Sequence, residues 1–192
     1  MNGPLTGFRV LDLTTMVSGP VATMMLGDQG ADVIKIEPID GEYMRKAGVK
    51  HRGMPNGFLS CNRSKRSLSI NLKSEEGVVA VKRLLANTDV LVQNFRPGAI
   101  ERMGLGEGVV REIRPDIIFV SISGFGEKGP YSHQRVYDPI IQALSGLADI
   151  QRDKDSGKPK MVRTIIPDKT TSVTAAQAIT AALLHRERTG EG

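Results

Sequence analysis

The most constraining feature of this chain lies near its start, where two apolar strand patterns flank a helix signal. Phe8-Arg9-Val10-Leu11-Asp12-Leu13-Thr14 reads as a buried strand, Gly19-Pro20 opens a helix over Val21 to Gly27, and Asp32-Val33-Ile34-Lys35-Ile36-Glu37 reads as a second strand. Strand, helix and strand within about thirty residues describe a βαβ unit, whose strands are parallel and whose connection is right-handed.

The same alternation continues. A strand is predicted over Ser67 to Leu72, then a helix from Ser74 to Ala86 with Val78, Val81, Leu84 and Leu85 on one face. Ser74 suits its N-cap, while Glu75 and Glu76 in the first turn and Lys82 and Arg83 near the end complement the helix dipole. Further strands are expected at Asp89 to Val92 and Asp116 to Ser123, separated by Pro97-Gly98 and a short helix around Ala99 to Met103. A helix over Pro139 to Leu147, a charged turn over Gln151 to Lys160 and an Ala-rich helix from Thr170 to Arg188 complete the pattern. The fold class is α/β, a Rossmann-like open and mostly parallel sheet flanked by helices. Between Pro38 and Lys65 the chain is rich in Gly, Asn, Arg and Lys, which marks it as a binding loop.

Composition narrows the function. A chain of 192 residues with 40% apolar content suits one domain of ordinary size, and such a domain buries roughly 70% of its unfolded surface. The single cysteine, Cys61, excludes an intramolecular disulfide and implies a reducing, cytoplasmic setting. His51, His133 and His185 have no partners at metal-ligand spacing, so no metal is expected. Arg9 and Asp12 interrupt any N-terminal signal core, and no apolar run approaches the ~18 residues of a membrane span, so no membrane association is expected. With five Phe, three Tyr and no Trp, the chain lacks a stacking platform for single-stranded nucleic acid. The net charge of +5 is spread along the sequence, which suits a phosphorylated small molecule better than duplex DNA and is equally compatible with mere solubility.

Gly124-Phe125-Gly126-Glu127-Lys128-Gly129 matches the dinucleotide fingerprint and follows a predicted strand. The fingerprint needs a helix to begin within the glycines so that its amides hold a pyrophosphate, and Pro130-Tyr131 extend a loop instead. Asp149, at the spacing of the ribose-binding acid, falls between helix and loop, so this run reads as a flexible loop beside a cleft.

Four other segments put polar side chains where open α/β sheets bind ligands, namely Asn94-Phe95-Arg96-Pro97-Gly98, Arg102-Met103-Gly104, Arg135-Val136-Tyr137-Asp138-Pro139 and Pro167-Asp168-Lys169. Each also has a purely structural reading: Asn94 as a turn residue, Arg102 as a C-terminal helix cap, Asp168 as the N-cap of the Ala-rich helix.

Taken in order with Pro4-Leu5-Thr6-Gly7-Phe8-Arg9-Val10-Leu11-Asp12-Leu13, Gly30-Ala31-Asp32-Val33-Ile34-Lys35-Ile36-Glu37, Asn62-Arg63-Ser64-Lys65-Arg66-Ser67, Gly129-Pro130-Tyr131 and Arg186-Glu187-Arg188-Thr189-Gly190-Glu191-Gly192, they give a sequence that resembles the class III CoA-transferase family over its whole length. That family includes carnitine CoA-transferases and α-methylacyl-CoA racemases. The resemblance implies that Asp168 is the catalytic nucleophile, ionised at neutral pH and favoured in that form by a helix N-terminus. It gives Tyr137 as a second catalytic residue and implies CoA contacts at Met16, Val17, Ser18, Ile70, Lys73, Asn94, Phe95, Arg102, Met103 and Arg135. Lys73 and Arg102 would meet the adenosine phosphates. Coenzyme A and acyl-CoA are implied as substrates, with no tightly bound cofactor, and a small carboxylic acid as the other partner.

Three departures are visible. Pro38 replaces a basic residue near the adenine, Val17 replaces a glutamine that shapes the transferase site, and Tyr137 stands where a racemase carries its proton-transferring histidine. Tyrosine, with a pKa of about 10, exchanges an α-proton poorly at neutral pH, which leaves the racemase as the lesser alternative. The resemblance further implies that residues 1–192 are the N-terminal part of a larger CoA-binding domain whose second half is absent, and that complete chains form an interlocked homodimer. A non-catalytic CoA-binding fragment is the remaining alternative.

Overall fold

The computed structural model describes residues 3–192. Its first three elements are β1 (Arg9–Asp12), α1 (Ser18–Asp28) and β2 (Asp32–Glu37). After a 3-10 turn at Tyr43–Arg45 come a small hairpin, β3 (Lys50–His51) with β4 (Met54–Pro55), then α2 (Asn56–Asn62) and β5 (Lys65–Ser69). The chain continues through α3 (Glu75–Leu85), β6 (Val90–Gln93), α4 (Ala99–Arg102), α5 (Glu107–Ile113) and β7 (Ile118–Ser121). It closes with α6 (Asp138–Leu144), α7 (Leu147–Ile150) and α8 (Ile166–Thr189).

Five strands form one parallel sheet in the order β5-β2-β1-β6-β7. Alternation along the strands sends side chains to two separate cores. Val10, Val33, Val90 and Val92 face α1 and α8, packing on Ala22, Leu26, Ala176, Ile179 and Leu183. Leu11, Ile34 and Leu91 face the other way, onto Val81 and Leu85 of α3, Ile100 of α4 and Val110 of α5. The inner strands β1, β2 and β6 thus carry apolar residues on both sides, as a parallel sheet covered by two helical layers requires, while the edge strand β5 is polar and largely exposed. Strand order reverses between β1 and β6, which leaves a crevice above their C-terminal ends.

The α/β reading and the parallel sheet hold, and α3 begins at Ser74 as expected, the Ser74 hydroxyl accepting the Gly77 amide at 3.1 Å. Several boundaries differ. The stretch from Pro38 to Lys65 is ordered into a turn, a hairpin and α2, because buried Phe58, Cys61 and Asn62 tie it down. Strand β5 starts at Lys65, not Ser67, because its ammonium is drawn inward by Asp12. Helix α5 was not foreseen, and the helix expected over Pro139 to Leu147 is split by Gly146 in the left-handed region (φ 79°). Helix α8 begins at Ile166, with Pro167 in its first turn where a missing N–H costs nothing. Asp168 is therefore inside the helix and is not its N-cap. No helix among the described residues is long and apolar enough to cross a membrane.

Candidate active site

The loop after β1 is held in an unusual shape. Met16, which is not a glycine, has φ 69°, a left-handed conformation that costs an L-residue roughly 1–2 kcal/mol. Side chains from elsewhere satisfy the peptide groups leading up to it. Asp12 Oδ1 accepts the Thr14 N–H at 2.9 Å, and Lys35 Nζ donates to the Thr14 carbonyl at 2.9 Å. Asn94, just past β6, accepts the Thr15 N–H and donates to the Thr15 carbonyl, both at 2.9 Å. Glu42 Oε2 accepts the Met16 N–H at 3.0 Å. Asn94 thus stitches together the two loops at the point where strand order reverses, and is not a simple turn residue.

This loop delivers Val17 and Ser18 to the start of α1. That helix has no side-chain cap and no acidic residue in its first turn. A cap does approach from outside: the Asp168 carboxylate, in the first turn of α8, lies against the Ser18 hydroxyl and amide. Gly19 makes the approach of α1 to the loop possible, since a Cβ there would sit 2.4 Å from the Thr14 side chain.

Behind Asp168 stands a second carboxylate. Asp138, 8% exposed, accepts the Asp168 N–H at 3.3 Å and the Gln142 side-chain amide at 2.6 Å. Gln142 in turn accepts the Val162 N–H at 2.8 Å and donates to the Thr164 carbonyl at 3.2 Å, fixing the segment that leads into α8. Burial pushes the Asp168 pKa upward and the nearby Asp138 charge adds to the rise, while the Ser18 hydroxyl and amide oppose it. The net shift runs opposite to the one expected from a helix N-terminus, because partial burial outweighs the dipole.

A cleft of about 350 Å³ opens above the ends of β6 and β7, and Phe95, Arg96, Arg102, Ser121 and His133 are among its walls. Arg102 ends α4, with its guanidinium 3.1 Å from where a Gly98 Cβ would lie. Met103 follows as the C-cap of α4. Ile70 and Phe95 share the apolar cluster beneath, and Lys73 is exposed one residue before the α3 cap. Hydrogen bonds thus bring the loop at residues 15–18 together with Asn94 and Asp168, Phe95 and Arg102 line the cleft, and Ile70 is buried in the core beneath. Arg135 and Tyr137 sit on the loop before α6 with exposed side chains, and neither hydrogen-bonds to the others among the described residues.

The glycine run at Gly124–Gly129 leads into no helix before α6. A Cβ at Gly124 would lie 1.9 Å from Val136, so this glycine serves packing of one loop on another.

Sequence reasoning missed Asp12, Lys35, Glu42, Lys65 and Gln142. Lys35 and Asp12 are 1% and 0% exposed, although charged residues are almost never fully buried unless paired. A charge inside an apolar strand run was the available signal. Lys65 donates to Asp12, the Pro20 carbonyl and Asn62, each at 2.8 Å. Burial pushes the Asp12 pKa up, but Lys65 and Lys35 together hold it below the ordinary carboxylate value.

Comparison with known proteins places this architecture. The model of CoA-transferase family III matches residues 5–192. Succinyl-CoA:glutarate CoA-transferase of Mus musculus is 46% identical over 191 residues, which is 98% of this chain and 44% of that protein. Formyl-CoA:oxalate CoA-transferase of Escherichia coli is 41% identical over 197 residues, 100% of this chain and 46% of that one. A crystal structure of a CAIB/BAIF family protein from Brucella suis superposes with a TM-score of 0.95 at 36% identity, covering 100% of this chain and 52% of the other. The chain thus spans about half the length of the curated relatives it matches. A family match that runs from the strand before the Met16 loop to the end of α8, on the same parallel sheet, makes this chain a member of CoA-transferase family III.

Proposed function

We propose that the protein of which residues 1–192 form the N-terminal part of a CoA-binding domain moves CoA between an acyl-CoA and a carboxylic acid, with Asp168 as nucleophile. The observation that carries this reading is the Asp168 carboxylate, half-buried against the Ser18 hydroxyl and amide at the uncapped start of α1.

In the proposed cycle, an Asp168 oxygen attacks the thioester carbonyl, the carbon–sulfur bond breaks, and CoA leaves as thiolate, giving a mixed aspartyl anhydride. The thiolate then attacks the aspartyl carbonyl and expels the donor carboxylate, leaving an aspartyl-CoA thioester. An acceptor carboxylate attacks that carbonyl, forms a second anhydride and releases the thiolate. Attack of the thiolate on the acceptor's acyl carbon yields the new acyl-CoA and restores Asp168. Every step exchanges one acyl bond for another, so no oxidant or metal enters the balance. The Ser18 amide lies where charge develops on the aspartyl group, and one such donor is commonly worth ~2.7–4 kcal/mol in the transition state.

For CoA, Met16, Val17, Ser18, Asn94, Phe95 and Ile70 form the wall, and Lys73, Arg102 and Arg135 supply positive charge for its phosphates. Among the described residues none of these three cations is engaged in an ion pair. Tyr137, standing where a racemase carries its proton-transferring histidine, favours transfer over racemisation. Short dicarboxylic acids are the first acceptors to test, by analogy with the relatives that use glutarate and oxalate, and complete chains are expected to act as a homodimer.

The deciding experiment incubates the complete protein with succinyl-CoA and other acyl-CoAs, quenches with hydroxylamine and locates the product by peptide mass. A hydroxamate at Asp168 is expected. Turnover without any adduct at Asp168 rules out the mechanism, and no turnover with any donor rules out the function.

A further inference from the structure

The buried pair Lys35–Glu42 has no place in the chemistry just described, and yet it touches the loop on which that chemistry rests. Both side chains are 1% exposed and their charged ends are 3.5 Å apart. A buried ion pair of this kind is weak support for stability, since well-packed apolar residues often do as well. What the pair does hold is specific: Lys35 Nζ grips the Thr14 carbonyl at 2.9 Å and Glu42 Oε2 grips the Met16 N–H at 3.0 Å. The peptide groups between them belong to Asn94. Met16 is left-handed without being glycine, and such strain persists only where surrounding contacts over-determine it.

Glu42 is itself fixed. Its Oε1 faces the Asn62 amide at 3.4 Å, and its N–H donates to Glu37 Oε2 at 3.2 Å. Arg45 forks onto Glu37 at 2.6 and 2.7 Å. The stretch from Pro38 to Lys65 therefore reaches back under the site as an arm, and it touches the Met16 amide through the Glu42 carboxylate.

We infer that Lys35 and Glu42 are positioning residues: together they hold Met16 in its left-handed shape and so set where Val17 and Ser18 meet CoA and Asp168. The part of this inference that concerns CoA rests on the function proposed above; the part that concerns the loop does not.

The test joins two measurements on the complete protein. The first is amide hydrogen exchange at Met16. Protection is expected in the parent protein, and a rise in exchange of at least tenfold in Glu42→Gln confined to residues 14–18. An unprotected Met16 amide in the parent, or unchanged exchange in the variant, overturns the inference without need of any ligand. The second uses the paired variant Lys35→Met/Glu42→Gln, which removes both charges at once and keeps the side-chain volumes, so its melting temperature is expected to stay near that of the parent. CoA affinity measured by calorimetry is expected to fall about tenfold, with KM for acyl-CoA rising more than kcat falls. A well-folded paired variant that binds CoA like the parent overturns the positioning role. Should the parent bind no CoA while Met16 is protected and released by Glu42→Gln, the functional reading fails and the control of the loop stands. Should the paired variant not fold, the exchange at Met16 in Glu42→Gln still decides.

Discussion

The two ends of the parallel sheet use charge differently. At the N-terminal ends of the strands, charges are matched in a ladder. Arg9 and Arg66 both pair with Asp32, at 2.9 and 2.7 Å. Asp89 accepts the Arg9 N–H at 2.7 Å and the Arg186 guanidinium at 2.9 Å, and Arg114 meets Asp116 at 2.5 Å. At the C-terminal ends, Lys73, Arg102 and Arg135 are left without ion pairs among the described residues, and the Asp138 carboxylate lies close enough to Asp168 to add to the rise in the Asp168 pKa that burial begins. The lower end is satisfied from within. The upper end has internal pairs too, Arg45 with Glu37 and Lys65 and Lys35 with Asp12 and Glu42, but adds three cations that have none, as suits the end where open α/β sheets bind ligands.

The comparison can be broken by removing one charge from each end. The largest expected effect is at the top: Asp168→Asn lowers kcat by roughly 10³-fold or more, since loss of a covalent nucleophile removes the pathway itself. CoA affinity is expected to survive, and equal loss of both would indicate misfolding. At the bottom, Asp89→Ala strips the nearest partner from the 6%-exposed Arg186 side chain, leaving Asp116 and Glu187 at 3.8 Å, and is expected to cost about 3 kcal/mol of stability. A denaturant melt reads that loss, and CoA affinity should not follow it. Next in size, Lys73→Ala and Arg102→Ala are each expected to weaken CoA binding about tenfold or somewhat more, the worth of one charge-assisted hydrogen bond. Their melting temperatures should be unchanged, because neither cation supports the fold. A drop in stability would erase the contrast between the two ends.

The smallest effect concerns pH. Attack requires ionised Asp168, whose pKa burial raises above the ordinary 3.8, with Asp138 adding to the rise. Activity should therefore fall as pH drops through that raised value, and in Asp138→Asn the acid limb of kcat/KM should move to lower pH, since the neighbouring charge is gone. A limb that stays in place would show that burial acts alone.

How much of this was legible in the sequence differs between the same two ends. Alternation of Val10 with Leu11, or Val90 with Leu91, is a local pattern, and it marked both faces of the sheet. The Ser74 cap was equally local. Most assignments at Met16, Ser18, Asn94, Arg102 and Asp168 rest on resemblance, because the contacts that join such residues link positions far apart in sequence, as between Thr15 and Asn94 or Ser18 and Asp168. The arm from Pro38 to Lys65 was illegible because its elements are short and its order comes from partners elsewhere: Glu37 for Arg45, Met16 for Glu42 and Asp12 for Lys65. Burial raises the Glu37 pKa, yet Arg45, Ser67 and the Glu42 amide bring it down to about 2, and no local pattern foretells that.

The strand order also has a consequence for how the chain assembles. The central strand, β1, is the first to be made, and its two neighbours arrive at very different times: β2 pairs Val10 with Val33, whereas β6 pairs it with Val90. From the moment residues 9–37 fold as a unit until β6 emerges, one edge of β1 stays open, with Val10 and Leu11 among the least exposed residues of the finished protein. Open apolar edges are templates for wrong partners, and non-local pairing is slow. The nascent chain is therefore most prone to aggregate during synthesis of the segment that separates β2 from β6, the same segment that later carries Glu42 under the active site.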